Sequence, residues 1–249
     1  MLLTKPYNRE RARRYAERWA FSRNPLFADY TGIGGNCTNF VSQCLYAGGC
    51  RMNFTPVFGW YYLDKNDRTA SFTGVNYLYN FLISNEGEGP YGRESDAAET
   101  ETGDIIQLSR EGDGYFHSVL AVGREGEEIF VAAQSENAYM RPLSSYRYDE
   151  IRYLHIEGVR ILLGENGDCF SSLLAGEELF IRGSGTALPG NGTPPAEGGT
   201  PPGNGTPPTE GTAPPGNGTP PTEGTAPPGD ETPPTEGTAP PGNGTPPTG

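Results

Sequence analysis

Apolar side chains recur at helical spacing in the first part of the chain and at strand spacing further on. Ala12, Tyr15, Ala16, Trp19 and Ala20 follow the i, i+3, i+4, i+7, i+8 rhythm of one helix face. That rhythm predicts an amphipathic helix over 8–23, with Asn8 as its cap and "RNP" as its stop. Cys37, Phe40, Val41, Cys44 and Leu45 repeat the pattern, and Gly48-Gly49 marks the end of that second helix. "VNYLYNFLIS", Val75 to Ser84, predicts a third. The polar, glycine-rich stretch 85–103 reads as a loop. After it the period shortens. "DIIQLS" (104–109), "YFHSVLAVG" (115–123) and "EIFVAAQ" (128–134) are short apolar runs between glycine-rich turns, which predicts antiparallel strands. "IRYLHIEGVRILL" supplies one or two more. Helices first and a meander of strands afterwards predict an α+β domain, its helices packed on one face of an antiparallel sheet.

Composition divides the chain. From Gly185 to Gly249 it is five copies of a 13-residue Pro/Gly/Thr-rich repeat, holding 19 of the 24 prolines and one large apolar residue, Leu188. Too little surface can be buried there to offset the entropy of ordering, so 185–249 is expected to be a disordered stalk biased to polyproline II. The expected folded domain is 1–184. "NGT" triplets in the repeat, and "NCT" at Asn36, match the glycosylation acceptor pattern and read as coincidental.

The formal net charge is −13, and the repeat contributes six acids and no base. With no basic stripe outside the helical "RERARR", nucleic acid is excluded as a partner. No apolar run approaches the length of a membrane span. The N-terminus lacks an apolar h-region, so a cytoplasmic location is expected, with spore or cell-surface association as the other possibility. The cysteines, Cys37, Cys44, Cys50 and Cys169, match no CxxC or zinc spacing. They are expected to be reduced, with Cys44 and Cys50 as packing residues. No metal or organic cofactor is expected.

Cys37 follows the turn "GIGG" and opens a helix, where unpaired backbone N–H groups and the helix dipole favour a thiolate. A nucleophilic thiolate needs a base. The chain has two histidines, His117 and His155. His117 begins a strand and can face a cleft; His155 sits within one and reads as structural. Asp104, after Gly103, reads as a turn residue. The competing reading of Cys37 is a small buried helix residue.

The segments "YNRERARRYAERWAFSRNPLFADYTGIGGNCTNFVSQCLYAGG", "GWYYL", "GDIIQLS", "FHSVLAVG" and "RPLSSYRYDEIRYLHIEGVR" resemble a bacterial amidase domain family of the papain-like superfamily. The resemblance implies a papain-like fold, Cys37 as nucleophile and His117 as general base. It also implies an amide or peptide substrate, with a cell-wall peptide as the candidate; the repeat tail is a candidate for contact with the cell envelope or other proteins. Three positions depart from the family pattern. Asn36 stands where an aspartate commonly precedes the cysteine. Gln134 and Asn137 stand in the segment that commonly carries a histidine and an acid. Either amide is a candidate to orient His117, as an asparagine does in papain-like sites; the alternative is that both are turn polars. The first-turn N–H groups at Cys37, Thr38 and Asn39 are candidate oxyanion donors. The rival functional reading is a catalytically weak or inactive binding module with the repeat as spacer.

Overall fold

The computed structural model describes residues 1–112, 114–163 and 168–179. The repeat at 185–249 and the expected boundary at 184 lie outside the described residues.

Strand β1 (Leu2–Lys5) precedes helix α1 (Arg9–Trp19). Asn8 caps α1, its side-chain oxygen accepting from Arg11 N at 3.0 Å. The expected stripe of α1 is buried at Ala12, Tyr15, Ala16 and Trp19. Helix α2 (Cys37–Gly49) lies against it and is buried from Cys37 to Gly48. Several of its polar residues survive burial because they are paired. Trp60 Nε1 donates to Ser42 Oγ at 3.1 Å, and Tyr15 OH donates to Gln43 Oε1 at 2.7 Å. Gly48 admits the Tyr7 ring where a Cβ would come within 2.1 Å of it. The helix runs through both glycines and ends on Cys50, which takes the left-handed cap at φ 48.

Cys50 is disulfide-bonded to Cys169, at the start of α5 (Phe170–Ala175). This corrects the expectation of four reduced thiols. Cys50 and Cys169 staple the end of α2 to α5, and Cys37 and Cys44 are the free cysteines. Short helix α3 (Ala70–Thr73) and α4 (Val75–Ser84) complete the helical layer.

The sheet is antiparallel throughout. Its strands are β1, β2 (Gly89–Ser95), β3 (Ile105–Arg110), β4 (Gly114–Glu125), β5 (Glu128–Ala133), β6 (Ala138–Pro142) and β7 (Glu150–Leu162). The last apolar segment is one long strand, β7, pairing with β1, β2 and β3. Tyr153 and Leu154 pair with both β2 and β3, so those strands flank β7 on opposite edges. From β3 the sheet continues through β4, β5 and β6. The expected loop at 85–103 contains β2.

Alternation sorts the strand residues onto two faces. Ile105, Leu120, Val122, Ala132, Leu154 and Ile156 join the core that includes the helices. Ile106, Leu108, Val119, Ala121, Val131 and Ala133 form a second core covered by Leu143, Tyr146 and Tyr148. The molecule is therefore α+β, as expected. No helix among the described residues is long and apolar enough to cross a membrane.

Candidate active site

The chain reaches α2 through a turn of left-handed backbone, with Gly34 at φ 99 and Gly35 at φ 95. This is a conformation that glycine adopts without strain. A Cβ on Gly35 would press within 3.2 Å of Ser135 Oγ. That hydroxyl accepts from Asn36 N at 2.7 Å and so fixes the backbone immediately before Cys37. Ser135 itself holds φ 93, a strained value for a non-glycine residue. Sequence reasoning missed Ser135, because nothing in the serine code signals a left-handed turn.

Cys37 is the first residue of α2, and Asn36 makes no side-chain capping bond to the helix. The first-turn N–H groups therefore lack the usual side-chain acceptor. Cys37 is 6% exposed. It opens on a cavity of about 500 Å³ whose walls include Phe116, His117, Ser135, Glu136 and Tyr146. Its sulfur lies 3.8 Å from Thr38 Oγ1 and 3.9 Å from the Phe116 carbonyl oxygen. Thr38 Oγ1 in turn lies 3.1 Å from Ser118 Oγ, which accepts from Gln107 Nε2 at 3.1 Å. The cysteine helix is thus pinned to β4 beside His117, and β4 to β3.

His117 sits near the start of β4 with its ring 5.8 Å, centre to centre, from Tyr146. Burial pushes its pKa down to about 4; Glu136 opposes this, and Arg141 and Arg110 add to it. At neutral pH the imidazole is uncharged and able to accept a proton.

The family model described as "Putative amidase domain" matches residues 6–156, which span both Cys37 and His117. The chain belongs to this amidase-domain family. Over 139 residues it is 34% identical to the uncharacterized protein YhbB of Bacillus subtilis (strain 168). The match covers 54% of this chain and 43% of that relative, so the chain spans less than half of its length. No solved structure matches the chain.

Within the amidase domain, the remaining candidates fall elsewhere. Gln134 is buried behind the cavity wall. Its Oε1 accepts from Asn36 Nδ2, and its Nε2 donates to the Trp19 and Ser22 carbonyls at 2.7 and 2.8 Å. Asn137 lies at the surface, where its Oδ1 accepts from Arg23 Nη1 at 3.1 Å. The expectation that one of these amides orients His117 finds no contact in this geometry: both ends of the Gln134 amide and the Asn137 Oδ1 are engaged with other partners. Glu136, between them in sequence, is the carboxylate whose field reaches His117, and it pairs with Arg141 at 3.1 Å.

Asn36 is not a bare loss of an aspartate. Its Oδ1 accepts from Tyr30 N at 3.2 Å and Asn39 Nδ2 at 2.9 Å, while its Nδ2 serves Gln134. An aspartate would match the two donors but not the Gln134 oxygen.

Asp104 and His155 form a separate structural cluster. Asp104 is 1% exposed, and its carboxylate meets Arg9 at 2.6 Å, His155 Nδ1 at 2.9 Å and Ile156 N at 3.0 Å. It ties α1 to β7, a larger role than the turn residue expected.

Proposed function

We propose that this amidase domain hydrolyses a peptide amide by a papain-like thiol mechanism, with Cys37 as nucleophile and His117 as base. The observation that carries the reading is that Cys37, at an uncapped helix start, and the uncharged His117 open on one cavity. The Cys37 sulfur attacks the amide carbon while the imidazole takes the thiol proton. The developing oxyanion is met by N–H groups of the first turn of α2, from Cys37, Thr38 and Asn39. The imidazolium gives its proton to the departing amine, leaving a thioester. Water, deprotonated by the same ring, hydrolyses the thioester and restores the thiol. Cys37 Sγ makes no hydrogen bond to the ring among the described residues, so the mechanism requires the imidazole to turn toward the sulfur as substrate fills the cavity. Gln134 acts as a positioning residue through Asn36, and a third residue on the ring is not required.

The missing sulfur–ring hydrogen bond favours a second reading, a binding module that does not turn over. A panel of cell-wall peptide fragments, incubated with wild type and Cys37→Ala, separates the two. New amines released by wild type alone support the amidase. Fragments bound by both proteins and cleaved by neither support the module.

A further inference from the structure

The chain is acidic, yet three arginines, Arg110, Arg141 and Arg147, line the cavity that holds Cys37, against a single acid, Glu136. Glu136 is paired with Arg141, whose guanidinium also lies 3.9 Å from the Tyr146 ring centre and donates to Ser145 Oγ at 2.9 Å. That arginine is held in place by its neighbours. Arg110 lies over the Phe116 ring at 4.7 Å, and Phe116 is the residue whose carbonyl touches the cysteine sulfur. Neither Arg110 nor Arg147 has an ion-pair partner among the described residues. Arg110 also borders Glu111, Asp149 and Glu150, and Arg147 also borders Asp149, whose Oδ2 accepts from Glu111 N at 2.7 Å. Both side chains are exposed, and both line the cavity that holds Cys37.

A guanidinium that is planar, permanently charged and laid on an aromatic ring is suited to hold a carboxylate in two-point fashion. A cavity of about 500 Å³ holds a short peptide. We propose that this cavity selects peptides bearing free carboxylates beside the scissile amide, with Arg110 and Arg147 as the residues that receive them. This rests on the amidase reading for the word scissile, but the recognition itself is independent of turnover.

The test is therefore made on binding, in the full chain carrying Cys37→Ala. Two probes are titrated by calorimetry at low ionic strength: N-acetyl-Ala-Glu, with two carboxylates, and its neutral isostere N-acetyl-Ala-Gln-amide. The acidic probe should bind at least about tenfold more tightly, the equivalent of roughly 1.4 kcal/mol. Arg110→Gln and Arg147→Gln should each erode that preference, and the double variant should abolish it. Added salt should weaken the acidic probe alone. Equal affinities, no binding of either probe, or a preference intact in the folded double variant would overturn the proposal. Failure of the amidase reading would show instead as absent turnover by wild type with this binding preference intact.

Discussion

Asn36 Nδ2 donates to Gln134 Oε1, joining the residue before Cys37 to the residue after β5. The donor and acceptor roles are not exchangeable. If the Gln134 amide turned round, its oxygen would face the Trp19 and Ser22 carbonyls that its nitrogen now serves. The start of the cysteine helix is thus held by a neutral amide pair whose polarity is fixed by α1.

Asn36→Asp should therefore destabilise the fold by about 1–3 kcal/mol, since it sets a carboxylate against a buried acceptor. Gln134→Ala should cost a similar amount and leave the pH profile of the remaining activity in place. Thermal melts of the two variants, with pH–rate profiles beside them, check this. Unchanged stability with a displaced acid limb in Gln134→Ala would mean that the amide orients His117 after all.

His117 makes the domain acid-sensitive in a defined window. Its ring takes a proton near pH 6.5 in the unfolded chain and near 4 in the folded one, because burial disfavours the charged form. The neutral ring's contribution is fully present above pH 6.5 and is lost as pH falls toward 4, since the unfolded state binds the proton first. The loss is of the order of 3 kcal/mol. Denaturant melts at pH 7 and 4.5 should show a smaller difference in His117→Gln than in wild type. In the active protein the acid limb of kcat/KM should lie near pH 4, and a limb at 6.5 or above would contradict the buried neutral base.

The disulfide gives a count. In denaturant without reductant the chain should titrate two thiols, Cys37 and Cys44, and after reduction four. Four thiols before reduction would refute the Cys50–Cys169 bond. Reducing it should lower stability by about 2–5 kcal/mol, because it closes a loop with a sequence separation of 119.

The legible parts of the fold were those carrying a period. The stripes of α1 and α2 and the apolar block of α4 gave their positions, and "DIIQLS", "SVLAVG" and "IFVAA" alternated between two buried faces. Strand β2 was not legible, because "GPYGRES" has no alternation and contains a proline; it is a strand because β7 offers it a backbone edge. Cys37 and His117 were brought to one cavity from 80 residues apart in sequence. Gln134 was one of two candidates to orient His117, with a plain turn role as the alternative; its partners are Asn36 and the carbonyls of Trp19 and Ser22, contacts that only the packed fold creates. No spacing rule links Cys50 to Cys169 across such a separation.

In the proposed mechanism Cys37 carries the covalent intermediate. Intact-mass spectrometry after rapid mixing with a cleaved peptide measures this directly. Wild type should gain an acyl mass that maps to Cys37, is absent from Cys37→Ala, and forms far more slowly in His117→Ala. Undiminished hydrolysis by Cys37→Ala, or an acyl mass mapped to another residue, would contradict it.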